Sequence, residues 1–271
     1  MSETLKNAPL AELVAEVRWT PLLTPGVPGA SIATMAGGPS FFSGDTKDIE
    51  EFFSRFAALI QEAEYTHSER LVPQGFPFLF HQPVCRYRPG NGELSSLYQV
   101  GPGIFVANAM PPYESWNAFG PVVRKGVQAM IEARGDNEKS TPFLSTNLRY
   151  IDAFGADLTE GRSPKKFVEE VLGFKIDIPD GLIRHVPDGR EPSPFLQVQL
   201  PMAAGMTMNF GFGDGQMNGR QALMMDMSVA TTIAISPDAD AVMETFNRAH
   251  DAIHSSFVAL TEPIAHLMAK E

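Results

Sequence analysis

Two histidines stand four residues apart near the end of the chain, His250 and His254, and Asp251 directly follows the first. On a helix, side chains at this spacing share a face and can hold one zinc ion. Zinc proteases with this spacing carry a glutamate after the first histidine as general base, whereas this chain has the shorter aspartate. No third ligand is evident, because His266 lies beyond Pro263 in a different local frame. We therefore predict that both histidines are structural and that the protein holds no metal.

A glycine-rich segment, Gly211-Phe212-Gly213-Asp214-Gly215, could be mistaken for a phosphate-binding loop. It lacks the Gly-Lys-Ser/Thr ending of such loops, and it lies between two predicted strands instead of before a helix. We interpret it as a hairpin turn at 213–215 and predict no cofactor. A Ser-His-Asp set, a pair of catalytic carboxylates and a nucleophile elbow cannot be assigned either, so no catalytic residue is predicted.

Methionine is concentrated between residues 202 and 227. In a strand, Met206, Met208 and Phe210 point to one face, because side chains alternate. Flexible thioether side chains adapt to varied partners, but a methionine-rich strand face also makes an ordinary core. Both interpretations remain open, and Met206, Met208 and Phe210 are candidate binding residues.

Two strand arginines, Arg18 and Arg149, form the third set of candidates. Residues 143–154 alternate so that Leu148 and Tyr150 point one way and Arg149 the other. If helices cover the leucine face, both arginines lie on the open side of the sheet and can bind carboxylate or phosphate through two hydrogen bonds, and Tyr150 is a further candidate. If helices cover the other face, both arginines are buried and each needs a carboxylate partner. We favour the buried, paired alternative, because a strand arginine flanked by large apolar residues usually has a partner nearby.

Part of the predicted strand at 143–154 resembles a segment near the start of the chain. Residues 13–19 match residues 144–150, leucine to leucine, arginine to arginine and aromatic to aromatic, and Phe119 aligns with Phe246 in two predicted long helices. Both halves follow the order strand, helix, antiparallel strands, long helix. We predict an α+β fold of two similar halves, 1–140 and 141–271, that arose by duplication. Its helices pack on one face of two curved antiparallel sheets or of one continuous sheet.

Periodicity and turn signals predict the individual elements. The predicted strands cover residues 9–19, 76–88, 94–109, 143–154, 195–201, 205–212 and 221–235. The predicted helices cover about 45–64, 112–133, 163–173 and 238–260. Residues 20–44 are predicted to form a loop with one short strand near 30–35, residues 174–194 an irregular excursion, and Pro89-Gly90-Asn91-Gly92 a hairpin turn.

Composition narrows the class of partner. The chain of 271 residues has a net charge of −11, which disfavours binding to phosphate backbones. Its small basic clusters, Arg86/Arg88, Arg124/Lys125 and Lys165/Lys166, are interpreted as solvated surface. No apolar run is long enough to span a membrane, and the N-terminus lacks a secretory pattern. Cys85 is the sole cysteine, which suits a reducing cytoplasm. We expect a cytoplasmic protein that binds neither membranes nor nucleic acid.

Three segments together resemble a family of sporadically distributed prokaryotic proteins of about this length. They are Ala8-Pro9-Leu10-Ala11-Glu12 followed by Glu16-Val17-Arg18, the central Leu148-Arg149-Tyr150-Ile151-Asp152, and Asn247-Arg248-Ala249-His250-Asp251-Ala252-Ile253-His254-Ser255-Ser256-Phe257. Members of that family carry a "PL-E" start, an "LRYI(N/D)" centre and an "AHD-IH--F" close. The family is uncharacterised, so the resemblance brings no activity or cofactor. Its patchy distribution implies an accessory role, in defence or in toxin neutralisation.

The function that these observations favour is non-enzymatic binding of another protein, such as a toxin or effector. The alternative is a small-molecule sensor or enzyme with a pocket between the sheet and a long helix. A homo-oligomer is compatible with both. An exposed apolar surface favours the first alternative, and a closed pocket with converging polar groups favours the second.

Overall fold

The computed structural model describes residues 7–21, 31–34, 40–43, 46–92 and 95–269. The strands in this part of the chain are β1 (Leu10–Arg18), β2 (Ser31–Thr34), β3 (Ser40–Ser43), β4 (His67–Arg70), β5 (Phe78–Leu79), β6 (Cys85–Arg88), β7 (Ser96–Gly101), β8 (Ile104–Ala109), β9 (Ser145–Phe154), β10 (Leu196–Met202), β11 (Met206–Met217) and β12 (Arg220–Thr231). The helices are α1 (Lys47–Gln61), α2 (Trp116–Ala133), α3 (Ala156–Thr159), α4 (Pro164–Glu170), α5 (Asp180–Ile183), α6 (Ala239–Thr261) and α7 (Ala265–Met268), with a 3-10 turn at Glu262–Ile264. The predicted α+β class is confirmed.

Four strands of each half of the sequence follow the same order, whereas β4 and the sheet of β2, β3 and β5 belong to the first half and have no counterpart among the described strands of the second. The described strands form a nine-stranded sheet in the order β10-β11-β12-β9-β1-β8-β7-β6-β4 and a three-stranded sheet in the order β2-β3-β5. In each half the first strand lies beside the last, giving β1-β8-β7-β6 and β9-β12-β11-β10. A duplication requires this agreement. The duplication itself, with Arg18 superposed on Arg149 and Phe119 on Phe246, stays a prediction.

The chain divides into two compact units with discontinuous boundaries. The first unit consists of residues 1–13, 149–229 and 249–271, and the second of residues 14–148 and 230–248. These units do not test the predicted halves 1–140 and 141–271, because β1, β9, β12 and α6 each contribute residues to both units.

In the second unit, the helices pack on the aromatic face of β6, β7 and β8. The ring of Phe56 in α1 lies 5.5 Å from that of Tyr87, 6.2 Å from that of Tyr98 and 6.0 Å from that of Phe105. On α2, a methyl group at Gly126 would lie only 2.6 Å from atoms of the Tyr98 and Phe105 rings. The absence of a side chain at Gly126 therefore allows α2 to approach the sheet closely.

In the first unit, aromatic side chains again fill the space between strands and helices. Phe167 of α4 lies between Phe154 of β9, at 5.1 Å, and Phe212 of β11, at 6.0 Å. Ser163 caps α4, since its Oγ accepts a hydrogen bond from the Lys166 amide at 3.4 Å. Helix α4 thus begins directly after its cap residue Ser163 and presents Phe167 to the strands.

The predicted hairpin turn at 213–215 is wrong. Strand β11 continues through these residues to Met217, and the turn lies at Asn218 and Gly219, whose φ values are +52° and +74°. Two positive φ angles are what the Asn-Gly hairpin turn requires. Within β11, a methyl group at Gly213 would lie 2.9 Å from the Phe195 ring. Gly213 therefore accommodates a neighbouring side chain and does not reverse the chain.

Other strands of the structure differ from the predicted ones where the sequence carries weak periodicity or turn signals. The predicted strand 76–88 is broken into β5 and β6, and the predicted strand 94–109 is two strands joined at Gly103, where φ is +75°. The short strand near 30–35 is confirmed as β2, whereas β3 falls within the predicted loop. Strand β4, His-Ser-Glu-Arg, was not predicted, because four exposed polar residues have no apolar alternation.

Candidate functional site

Arg149 lies on the open side of its strand and is paired. Its Nε donates to Asp226 Oδ1 at 2.8 Å and to Oδ2 at 3.0 Å, and its Nη2 also contacts Oδ2. The Arg149 side chain is 44 % exposed. The prediction that Arg149 is buried is therefore wrong, whereas the predicted carboxylate partner is present. An exposed pair of this kind contributes little to stability.

Arg18 has the same arrangement in the second unit. Its side chain is 43 % exposed, and its Nε lies 2.6 Å from Glu16 Oε1 on the same side of β1. Val17 and Trp19 occupy the opposite, buried side. The prediction that Arg18 is buried is likewise wrong. Its guanidinium has an anionic partner in Glu16.

Tyr150 and the two histidines meet on the helix-covered side of β9. The Tyr150 hydroxyl lies 2.8 Å from His250 Nδ1, and the rings of His250 and His254 stack with centroids 5.6 Å apart. Burial, together with the nearby His254, lowers the pKa of His250 to about 4, so this imidazole is neutral at physiological pH. Among the described residues, no group of three or more His, Cys, Asp or Glu side chains is arranged to hold a metal ion. The hydroxyl of Tyr150 and the ring of His250 are therefore in direct contact, and the structural role of the two histidines stays a prediction.

Met206, Met208 and Phe210 lie in the core of the first unit. Their exposed fractions are 5 %, 7 % and 5 %. Phe210 stacks on Phe174 with centroids 5.1 Å apart, and Met208 lies against Ser256 of α6. The structure therefore corrects their assignment as candidate binding residues: these side chains form core and offer no surface to a partner.

Asp152 is absent from the predicted site residues, although it lies two positions beyond Tyr150 on β9. It is 3 % exposed, and its Oδ2 has no hydrogen-bond partner in the described part of the chain. Burial raises the pKa of Asp152 to about 7, and the charge of Asp226 adds to this effect. Strand alternation places Asp152 on the same face as Leu148 and Tyr150. A carboxylate on this apolar face is the feature of the sequence that could have identified Asp152.

Arg134 is a second buried ionisable residue that the sequence did not reveal. Its side chain is fully buried, with the guanidinium 5.5 Å from the Trp19 ring and 4.9 Å from the Phe143 ring. Nη2 donates to the carbonyls of Glu138 and Thr141, and Nε lies 3.7 Å from Glu138 Oε2. Burial lowers the pKa of Arg134, and the Glu138 carboxylate opposes that change. Arg134 therefore holds the segment after α2 against the aromatic core.

A cavity of about 320 Å³ in the second unit has Trp19, Glu51 and Glu138 in its wall. Two acidic groups in its wall are engaged within the protein. Glu51 pairs with Arg55 at 2.9 Å, and Glu138 accepts a hydrogen bond from the Trp19 indole at 3.1 Å.

The outer side of the backbone of β10, Leu196–Met202, is termed the free edge here. Strand β10 ends the order of the sheet, so in the described part of the chain this side has no partner strand. Large apolar side chains are exposed beside it, with Phe195 74 % and Leu200 47 % exposed. Leu182 and Ile183 of α5 are also exposed. An open edge with exposed apolar side chains is the feature of the first unit best suited to contact with another protein.

No protein-family model matches the chain, and no curated protein matches it. The resemblance to the sporadically distributed prokaryotic family therefore stays a prediction. Within the described residues, no helix combines the length and the apolar character needed to cross a membrane.

Proposed function

We propose that this protein is a non-enzymatic, cytoplasmic binding module that holds an extended segment of another protein along the free edge. The observation that carries the proposal is an unpaired strand with Phe195 and Leu200 exposed beside it. Strand addition at such an edge combines main-chain hydrogen bonds with side-chain contacts on both faces. The family resemblance suggests a toxin or effector as the partner.

Pro201 indicates which backbone groups face the free edge. It pairs with Thr207 of β11 but has no N–H to give to that ladder, and a proline in a sheet turns its nitrogen toward the open side. Backbone groups two residues apart point the same way. Gln197 and Gln199 therefore direct their N–H and C=O groups outward, where an added strand would bind.

The faces of β10 define the kind of segment that fits. Val198 pairs with Phe210 and Leu200 with Met208, so these two β10 side chains extend the apolar layer of the first unit. Gln199 lies on the other face, where its Nε2 donates to Asn209 Oδ1 at 3.1 Å. Side chains of an added strand continue both faces. The free edge therefore fits a segment in which apolar and polar residues alternate.

A different protein fits the free edge better than a second copy of this chain. Two copies of β10 paired about Gln199 would place Pro201 opposite Gln197, whose carbonyl would then lack a donor. Two chains with a net charge of −11 also repel each other. A neutral or basic segment of another protein that pairs with β10 only up to Gln199 avoids both obstacles, whereas a segment that continued past Pro201 would also leave a carbonyl without a donor.

The strand at the other end of the sheet order, β4, is protected against strand addition. It has only four residues, His67–Arg70, and all of them are exposed. Short edge strands with charged side chains resist pairing with other chains. This contrast supports the free edge of β10 as the binding position.

Replacing Gln199 with proline is expected to weaken partner binding about tenfold or more, because it removes an outward N–H. The ladder to β11 does not use this N–H, so the fold should remain. Gln199→Ala is the matched control: it loses the side chain and its bond to Asn209 but keeps the N–H. The measurement is capture from the cells that make this protein. A partner should be retained by the wild type and by Gln199→Ala, and lost by Gln199→Pro.

Amide hydrogen exchange on the captured complex gives an independent readout. The amides of Gln197 and Gln199 should become protected on binding, whereas that of Val198, which faces β11, should be protected already in the free protein. Retention of the partner by Gln199→Pro, or unchanged exchange at both glutamines, would rule out strand addition. Protection that appears in the isolated protein as its concentration rises would identify a second copy as the occupant.

A further inference from the structure

Two arginines of β6 share one carboxylate oxygen of β4. Nη1 of Arg86 and Nη1 of Arg88 each lie 3.2 Å from Glu69 Oε2. The side chains of the two arginines are 27 % and 28 % exposed, and that of Glu69 is 45 % exposed. Two guanidinium groups therefore face a single negative charge at the surface of the second unit.

The hydrogen-bonding capacity of these arginines is also incompletely used. The Nε atoms of Arg86 and Arg88 are shielded from solvent and have no acceptor in the described part of the chain. A buried donor without an acceptor is unfavourable. By contrast, Arg55, Arg70, Arg124 and Arg149 each have a carboxylate of their own. Within the part of the chain that the structure describes, the two arginines of β6 therefore share one carboxylate, in an otherwise acidic protein.

Neighbouring strands extend this polar face. Residues paired directly across strands share a face, and the register pairs His67 with Arg88 and Gln99 with Arg86. The Gln99 amide in turn donates to Asn108 Oδ1 at 3.2 Å. The two arginines therefore lie among groups that donate or accept hydrogen bonds, and not in an apolar environment.

We propose that Arg86 and Arg88 bind a phosphate monoester dianion, with Glu69 as an internal anion that the ligand displaces. A carboxylate ligand would only replace the charge that Glu69 already supplies. A phosphate dianion neutralises both guanidinium groups and has enough oxygens to accept from each of them. This site is separate from the free edge, and it does not depend on the function proposed there.

The test follows the arginine Nε–H signals of 15N-labelled protein by NMR during titration with inorganic phosphate at constant ionic strength. The signals of Arg86 and Arg88 should shift and saturate, while that of Arg124, which pairs with Asp240, should not. Acetate at the same ionic strength should not saturate the shift. Equal shifts at all arginines, or saturation by acetate at the same concentration as by phosphate, would overturn the assignment.

Glu69→Gln is the decisive variant, because it should strengthen binding. Removing the competing carboxylate is expected to lower the phosphate concentration at half-saturation about tenfold or more. Glu51→Gln, which frees Arg55 on α1 in the same way, is the matched control and should leave phosphate binding unchanged. Arg88→Met should abolish the shift. A gain in affinity cannot come from misfolding, so an unchanged affinity in Glu69→Gln would contradict the proposal whatever Arg88→Met does.

Discussion

Replacing Arg134 with methionine is expected to lower the free energy of unfolding by about 3–5 kcal/mol, the usual cost of breaking a buried ionic contact. The guanidinium is fully buried against Trp19 and Phe143 and donates to the carbonyls of Glu138 and Thr141. Methionine keeps much of the packing but none of the donors. The two carbonyls would then lose this donor, and the Glu138 carboxylate, whose side chain is 15 % exposed, would keep the Trp19 indole but lose the nearby positive charge.

Urea unfolding of the two proteins measures this difference. Arg124→Met is the matched control, because Arg124 pairs with Asp240 on the surface with side chains 42 % and 87 % exposed. Loss of that pair should cost at most about 1 kcal/mol. A similar decrease in the free energy of unfolding in the two variants would show that the buried Arg134 contributes no more to stability than the exposed Arg124. Arg134→Lys should also be strongly destabilising, because an ammonium group cannot reproduce the planar set of donors.

Replacing Asp152 with asparagine is expected to raise stability above neutral pH by an amount on the order of 4 kcal/mol. A pKa of about 7 for Asp152 in the folded state, against an ordinary value of 3.8, means that the fold binds the proton more tightly than the unfolded chain does. Ionisation costs the wild type nothing below pH 4; its free energy of unfolding falls as the pH rises from about 4 to about 7, and the full cost applies above that. Asparagine cannot ionise.

The measurement is the free energy of unfolding as a function of pH for both proteins. The advantage of Asp152→Asn should be small near pH 4, grow as the pH rises to about 7 and level off above that. Asp188→Asn, at an exposed position, is the control and should follow the wild-type profile. Parallel profiles for the wild type and Asp152→Asn would mean that Asp152 does not titrate differently in the folded state. A destabilised Asp152→Asn at alkaline pH would mean that the ionised carboxylate has an unrecognised partner.

Elements with strong local periodicity could be predicted from the sequence. The apolar stripe Ile49, Phe53, Phe56 and Ile60 defines α1, and it is buried as its 3.6-residue spacing requires. The alternation of Leu13, Ala15 and Val17 likewise defines β1. These patterns identify an element without knowledge of its neighbours, because spacing alone determines which side chains share a face.

Burial and pairing required the folded chain. Alternation separates Arg149 from Leu148, but it does not tell which side the helices cover, and the partner Asp226 lies 77 residues away. The same limit explains why Met206 and Met208 could be assigned either to a core or to a surface. Gly213 was assigned to a turn because the nearby Phe195 ring, which requires its lack of a side chain, belongs to another segment.

The residues with the largest expected effects were also decided by tertiary structure. The sequence by itself determined that Asp152 shares a face with Leu148 and Tyr150, that β10 is a strand and that an arginine follows α2. Only packing made Asp152 a carboxyl group with a raised pKa, placed β10 at the end of the sheet order and buried Arg134 between two rings. Local sequence sets the backbone conformation and the direction of each side chain. Desolvation and pairing depend on segments far away along the chain, which meet only in the folded protein.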